Sequence, residues 1–141
     1  MKLAEGVPFE VTPSFLAPTK LLSIPPQKER FVHEGPASLR TIFGDNKPRR
    51  IVGVRAHMHK LGVEMKVSVN RGGKDACLVD IPQYDFDWQT SYFLIKPVDI
   101  MTQDTINIPC VYNSTSEKKA VYWGEDTEDE MCLTTIYSMP R

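Results

Sequence analysis

Two histidines separated by one residue are the strongest chemical signal in this sequence. Residues 55–59 read RAHMH and continue a stretch in which apolar residues alternate with other side chains, as in a β-strand. In a strand His57 and His59 point to one face about 6 to 7 Å apart, a gap that two imidazoles can close around one ion. The other face then carries the core side chains Val54, Ala56 and Met58. The spacing permits a metal site, but two surface histidines also alternate by chance, so a third ligand is needed to decide.

Three other features are candidates for that third ligand. His33 is the only other histidine, and no motif surrounds it. Residues 125–130 read EDTEDE, and such acidic runs normally form a solvated loop or suit calcium and magnesium. Met131 follows this run at the start of an expected strand, where a role in the core is the default. A thioether together with two imidazoles would select copper, above all Cu(I).

Composition narrows the classes of protein. The chain has 141 residues, enough for one domain, and 17 basic against 18 acidic residues give a net charge of -1. Without a positive field we expect no nucleic-acid partner, and without a run of about 18 apolar residues we expect no membrane span. Residues 1–11 lack the apolar stretch of a secretory signal, which indicates an intracellular or a trimmed chain. Three cysteines outside any CxxC spacing permit at most one disulfide: Cys77, Cys110 and Cys132.

Short strands, and almost no helix, are expected between the 11 prolines and 8 glycines. Period-two alternation predicts strands at residues 50–59, 63–69, 76–81, 105–112, 120–123 and 131–139, with short or edge pieces at 20–24 and 39–43. The sequence Asn70-Arg71-Gly72-Gly73 predicts a tight hairpin turn. Tyr84, Phe86 and Trp88 would share one face of a further strand. Together these features favour a single-domain, all-β antiparallel sandwich or barrel.

Four stretches in this order resemble the carboxy-terminal domain of the copper type II, ascorbate-dependent monooxygenases. They are RAHMHKLG at residues 55–62, FDWQ at 86–89, Cys110, and WGEDTEDEMC at 123–132. The resemblance is clearest over residues 50–141, and the first third of the chain fits the opening of the same domain more loosely. It implies one jelly-roll-like antiparallel β-sandwich over residues 1–141.

The resemblance also implies a set of site residues. His57, His59 and Met131 would bind one copper per chain, and three protein ligands leave a position for dioxygen. Members that process peptides use an arginine at the position of Arg55 to hold a substrate carboxylate. They also use an asparagine and a tyrosine where this chain has Leu133 and Thr135, which makes a peptidylglycine substrate doubtful.

A disulfide is implied by the same resemblance. It would join Cys110 to Cys132 and leave Cys77 free. A structural disulfide and copper both indicate an extracellular or periplasmic location. No role is assigned to Cys77 or to His33.

The implied function is hydroxylation of a C–H bond, with dioxygen and with ascorbate or another reductant. The substrate is an unidentified small molecule or peptide. Family enzymes carry an amino-terminal domain with a second, electron-donating copper, which three histidines do not suffice to encode. We therefore expect either the catalytic half of a longer enzyme or a single-domain relative. The alternatives are a copper-handling module without hydroxylase turnover and a structural or recognition sandwich.

Overall fold

The structure is a computed structural model that describes residues 12–16 and 21–141. The expectations for residues 1–11 and for Lys20 lie outside the described residues. In chain order the elements are β1 (Thr12–Leu16), β2 (Ser23–Ile24), β3 (Phe31–His33), β4 (Pro36–Ser38), α1 (Leu39–Phe43), β5 (Arg49–His57), β6 (Gly62–Arg71), β7 (Lys74–Ile81), β8 (Ser91–Ile100), β9 (Thr105–Asn107), β10 (Cys110–Tyr112), β11 (Val121–Tyr122) and β12 (Leu133–Pro140). Within these ranges no helix is long and apolar enough to cross a membrane.

Two antiparallel sheets make up most of the fold. One has the strand order β1-β12-β5-β8, and the other has β3-β10-β6-β9-β4 with β7 paired to β6. The short strands β2 and β11 form a separate pair. Buried side chains of both large sheets form one hydrophobic cluster, which includes Val54 and Ile136 from the first sheet and Met65 and Val67 from the second. The prediction of a single-domain, all-β sandwich is confirmed.

Strand β5 has the two faces that its alternation predicts. Val54, Ala56 and Met58 are at most 2% exposed and belong to the core cluster. Arg55 is exposed and His57 is half-buried on the other face. Strand β12 pairs with β5 along its whole length, with Leu133 opposite His57 and Thr135 opposite Arg55. The two strands therefore hold the histidine motif beside the carboxy-terminal motif.

The hairpin prediction is confirmed at the turn between β6 and β7. Gly72 and Gly73 connect the two strands and have φ values of +57° and +82°. Left-handed backbone at two successive positions is accessible to glycine with little strain.

Residues 39–43, expected as a strand piece, form the helix α1 instead. Ser38 caps its amino terminus by accepting a hydrogen bond from the Thr41 N–H at 3.3 Å, and Gly44 ends it with a φ of +80°. Leu39 and Ile42 are the buried residues, and their spacing of three is that of a helix. The expectation was wrong because the capping residues and this spacing outweigh local alternation.

The expected strand 105–112 is divided into β9 and β10. Both pieces pair with β6 in one continuous register, with Asn107 opposite Ser68 and Cys110 opposite Met65. Proline has no N–H to donate to the ladder, so Pro109 interrupts it. The Pro109 carbonyl still accepts a hydrogen bond from Lys66 N at 3.2 Å.

The region between β7 and β12 contains the largest departures from the sequence-based expectations. Residues 82–90 form a loop, so Tyr84, Phe86 and Trp88 do not share a strand face. The strand β8 was missed. Its register against β5 shifts between Phe93 and Val98, and Ile95 in the irregular stretch is fully exposed. This irregularity removes the period-two pattern by which a strand is recognised.

A disulfide joins β10 to the start of β12. Cys110 and Cys132 form it, with a Cα–Cα distance of 5.9 Å, and both residues are fully buried. This is the pair that the family resemblance implies. Cys77 is a free, exposed cysteine on β7.

A buried carboxylate ties the β6–β7 hairpin to the loop before β9. The Asp104 side chain is fully buried and accepts hydrogen bonds from Arg71 Nε at 3.0 Å and from Met101 N at 2.8 Å. The hydrogen bond from Arg71 is the main cause that lowers the pKa of Asp104 below its ordinary value, while burial opposes it.

We expect the Asp104→Asn substitution to destabilise the fold by about 1 to 3 kcal/mol at neutral pH. Because the folded-state pKa of Asp104 is depressed, its contribution is present above pH of about 4 and is lost as the pH falls through the folded-state value. Urea unfolding at pH 7 and at pH of about 2.5 checks this. The exposed Asp80→Asn on β7 is the matched control. An equal loss of stability at both pH values would contradict the prediction.

Candidate metal centre

The two histidines of the motif lie together at the end of β5. His57 is the last residue of the strand, and His59 follows it in the connection to β6. Their ring centroids are 5.2 Å apart with the planes at 84°. His59 is only 5% exposed, and the ring of Phe86 meets it edge-on with centroids 5.9 Å apart. Both rings are therefore held within the fold at one place.

The ring of His57 is oriented by Gln89. His57 Nδ1 lies 2.6 Å from Gln89 Oε1, and Gln89 Nε2 donates to the Phe86 carbonyl at 2.9 Å. The Phe86 carbonyl can only accept a hydrogen bond, so the NH2 group of Gln89 must face it and the Gln89 oxygen must face His57. Because that oxygen also only accepts, Nδ1 of His57 carries the proton. The Nε2 atom of a neutral His57 is then left with a free lone pair.

The ring of His59 is oriented by main chain. His59 Nδ1 donates to the carbonyl oxygen of Asp129 at 2.8 Å. A main-chain carbonyl has no proton to give, so Nδ1 is again the protonated nitrogen. Both imidazoles therefore keep Nε2 as a Lewis base, and orientation through Nδ1 is the usual arrangement of histidines that bind metals.

Met131 is the third candidate ligand. The ladder between β12 and β5 ends with Leu133 opposite His57, so Met131 lies two residues before the first paired residue of β12 and His59 lies two residues after the last paired residue of β5. The main chain of Met131 is held by Tyr112, whose buried hydroxyl donates to the Met131 carbonyl at 2.6 Å. Burial is the main cause that raises the pKa of Tyr112, which keeps this donor protonated.

Two further side chains fix the backbone of the motif. The hydroxyl of Tyr84 accepts from Met58 N at 2.9 Å and donates to Met58 O at 2.8 Å, so it holds the residue between the histidines. Burial raises the pKa of Tyr84. The carboxylate of Glu130 accepts from His59 N and Leu61 N at 2.9 and 2.6 Å. Burial is the main cause that raises the pKa of Glu130, and its main-chain donors oppose it.

Gly62 lies in close contact with the motif. A Cβ atom added at Gly62 would be 2.7 Å from Met58 Cβ and 2.8 Å from Met58 Cε. Real Cβ contacts are not this short, and Met58 is fully buried between the histidines. A side chain at position 62 would therefore displace the backbone that carries them.

The other candidate ligands do not join the histidine pair. His33 is buried on β3, opposite Cys110 in the other large sheet. Residues 125–128 are exposed, as expected of a solvated acidic loop. Among the residues that the structure describes, no three His, Cys, Asp or Glu side chains are grouped so that they could hold a metal ion. Arg55 is exposed on the face of β5 that carries His57.

Gln89, Glu130, Tyr84 and Tyr112 are four side chains of this site that reasoning from the sequence missed. Gln89 and Glu130 lie inside the stretches that carry the family resemblance, but they were given no role. Tyr84 was assigned to an apolar face. A signal for Glu130 existed, because extending the alternation of β12 backwards places it on the buried face with Cys132, Thr134, Ile136 and Ser138. No sequence signal indicates that Gln89 reaches His57, because the two are 32 residues apart.

The donor set fits copper. Two neutral imidazoles with free Nε2 atoms suit copper among other metals, and a thioether favours Cu(I). The fold and these side chains together define an all-β domain with a candidate mononuclear metal centre.

The model of the family described as "Copper type II ascorbate-dependent monooxygenase, C-terminal domain" matches residues 14–141, and the chain belongs to this family. The match includes the part of the first third from residue 14 onwards, where the resemblance in sequence is looser.

Three curated relatives illustrate the similarity. DBH-like monooxygenase protein 1 of Gallus gallus is 28% identical over 125 residues, which are 84% of this chain and 20% of that protein. Dopamine beta-hydroxylase of Canis lupus familiaris is 26% identical over 126 residues, 87% of this chain and 20% of that protein. Tyramine beta-hydroxylase of Caenorhabditis briggsae is 27% identical over 122 residues, 84% of this chain and 20% of that protein. The chain thus spans about a fifth of the length of these relatives.

The Gln89→Leu substitution should change the tautomer of His57 in the metal-free protein. The substitution removes the acceptor that stabilises the proton on Nδ1, so we expect a population of His57 with the proton on Nε2. Nitrogen-15 NMR of the histidine side chains at a pH where the rings are neutral reads the tautomer directly. His59, whose acceptor is main chain, is the internal control. An unchanged His57 spectrum would contradict the assigned role of Gln89.

Proposed function

We propose that this chain is a mononuclear copper domain that activates dioxygen for hydroxylation of a substrate C–H bond, as the catalytic half of a monooxygenase. The observation that carries the proposal is the orientation of the histidine pair. His57 and His59 each use Nδ1 for a hydrogen bond within the protein and leave Nε2 free, and Met131 precedes by two residues the point where β12 begins to pair with β5. Membership in a copper-dependent family supports the choice of metal.

Each residue of the site has a distinct role in this proposal. Nε2 of His57, Nε2 of His59 and Sδ of Met131 would hold one copper ion per chain. Bound there, copper supplies the one-electron chemistry by which dioxygen is reduced. Gln89 holds the ring of His57, and the Asp129 carbonyl holds that of His59. These partners leave the rings little freedom to turn and keep the protons off the ligating nitrogens.

The reductant is ascorbate, as the family description indicates. Hydroxylation needs two electrons besides those of the C–H bond that is broken, and one Cu(I) ion holds only one. We infer that the second electron comes from outside this copper centre, and a further copper domain is the source that the family resemblance implies. The relatives are about five times as long as the matched region, which leaves room for such a domain in them.

The site favours a small-molecule substrate over a glycine-extended peptide. Leu133 lies opposite His57 and Thr135 opposite Arg55, at the positions where peptide-processing members carry asparagine and tyrosine. Arg55 alone would supply part of a carboxylate-binding site. The names of two relatives specify dopamine and tyramine as substrates, and both are small molecules.

One observation favours a second function. The same Leu133 and Thr135 leave the face beside His57 without the polar groups that hold a peptide substrate. A copper-handling module without hydroxylase turnover would keep His57, His59 and Met131 and would need no such groups. Substrate-dependent oxidation of ascorbate distinguishes the two functions.

The compartment follows from the disulfide. Cys110 and Cys132 are paired, and structural disulfides persist in oxidising compartments. We propose that the protein works outside the cytosol, in the extracellular medium or in the periplasm.

X-ray absorption of the Cu(I)-loaded protein should show two imidazole nitrogens and one sulfur at a single copper ion. The Met131→Ile substitution should remove the sulfur contribution and weaken Cu(I) binding, because it removes the thioether and keeps an apolar side chain of similar volume. Met139→Ile on β12 is the matched control and should leave the spectrum unchanged. A sulfur signal that survives in Met131→Ile would contradict the assignment.

Peptide binding should respond to the two substituted positions. The unmodified chain should bind a peptide with a carboxy-terminal glycine weakly, and the double substitution Leu133→Asn with Thr135→Tyr should bind it more tightly by restoring polar contacts beside Arg55. Isothermal titration calorimetry measures both affinities. A third variant that also carries Arg55→Ala should lose the gain. Tight binding by the unmodified chain would contradict the inference of a small-molecule substrate.

A further inference from the structure

The most deeply buried acidic group near the site is Glu130. It is 1% exposed, and in the part of the chain that the structure describes no Lys or Arg forms an ion pair with it. Burial of a carboxylate without such a partner is unfavourable unless hydrogen bonds satisfy its oxygens. The partners of its two oxygens therefore decide whether the carboxylate is accommodated.

Main-chain N–H groups from two segments converge on this carboxylate. Oε2 accepts from His59 N at 2.9 Å and from Met131 N at 3.3 Å, and Oε1 accepts from Leu61 N at 2.6 Å. One oxygen atom thus bridges the backbones of two of the three candidate ligands. These donors satisfy an ionised carboxylate, which only accepts.

The bridge lies where the sheet no longer holds the two segments together. The ladder between β5 and β12 ends with the pair His57 and Leu133, so ladder hydrogen bonds do not fix His59 relative to Met131. Tyr84 holds Met58, and Tyr112 holds the Met131 carbonyl, but neither hydroxyl contacts both segments. Of the hydrogen bonds that the backbones of His59 and Met131 form within the described part of the chain, those to the Glu130 carboxylate are the ones that join the two segments.

The backbone of Glu130 is itself anchored. Its N–H donates to the Tyr122 carbonyl at 3.0 Å, and its own carbonyl accepts from Gly124 N at 3.3 Å. The neighbouring Asp129 carbonyl holds the His59 ring, and the Cys132 disulfide follows one residue after Met131. A displacement of the Glu130 side chain would therefore move His59 and Met131 relative to a fixed support.

We propose that Glu130 is a positioning residue that sets the spacing of His59 and Met131 before any metal binds. Beyond the end of the β5–β12 ladder, the hydrogen bonds of its carboxylate take the place of ladder hydrogen bonds. They would hold the His59 imidazole and the Met131 thioether in position to bind one ion. The inference rests on the proposed function for the identity of the ligands, but the bridge itself exists in the metal-free chain and can be tested there.

The first experiment measures the bridge without metal. Amide hydrogen exchange by NMR on the metal-free protein should show slow exchange at His59 and Leu61. Glu130→Gln keeps the size of the side chain but turns an NH2 group toward at least one N–H donor, so exchange at one or both amides should become faster. Glu128→Gln, an exposed acid two residues earlier, is the matched control and should change neither. Unchanged protection at both amides in Glu130→Gln would overturn the proposal.

The second experiment measures the consequence for the ligands. Glu130→Gln should lower the Cu(I) affinity by about 10- to 100-fold and weaken the sulfur contribution in X-ray absorption. Asp104→Asn, which disturbs only contacts to Arg71 and Met101, is the control for lost stability and should leave affinity and spectrum unchanged. An unchanged affinity in Glu130→Gln, or an equal loss in Asp104→Asn, would overturn the positioning role.

A further variant keeps the test decisive if Glu130→Gln fails to fold. Glu130→Asp retains the negative charge but is one methylene shorter, so it cannot reach both segments and should show the same losses to a smaller extent. If the wild-type chain binds no Cu(I), the proposed function fails, and the exchange experiment still decides whether Glu130 fixes the two segments.

Discussion

The pairing of β12 with β5 is the constraint on which the rest of the site depends. It sets Leu133 opposite His57, and it thereby brings the segment after β5 next to the segment before β12, although they are more than 70 residues apart in sequence. In an antiparallel ladder a slip of one residue would turn the side chains of one strand to the opposite face. The buried face of β12, with Cys132, Thr134 and Ile136, makes such a slip unfavourable because it would expose apolar groups.

Beyond the ladder, three polar side chains hold the backbone of the ligand-bearing segments. Tyr84, Tyr112 and Glu130 all bind main-chain atoms of the ligand-bearing segments. Such groups contribute little net stability, but leaving one of them unpaired would be costly. They therefore specify one backbone conformation where the regular sheet ends. The disulfide between Cys110 and Cys132 adds a covalent link to the second sheet at the same place.

Membership in the copper monooxygenase family and the geometry of the site support each other for different reasons. The family match concerns the order of residues along the chain and covers residues 14–141. The hydrogen bonds of His57 and His59 determine which ring nitrogen carries the proton, and a sequence match contains no such information. The matched region is about a fifth of the length of each relative.

The sequence by itself determined the fold class, the two faces of β5, the β6–β7 turn and the family, because each is encoded in local spacing or in ordered motifs. It did not reveal α1, whose capping residues outweighed a local alternation, or β8, whose pattern is broken by an irregular register. Only the tertiary structure decided that Gln89 orients His57 and that Glu130 joins His59 to Met131. Gln89 is 32 residues away from His57 in the sequence, and Glu130 is 71 residues away from His59. Strand pairing brings their loops together, although the sequences of these loops show no periodicity.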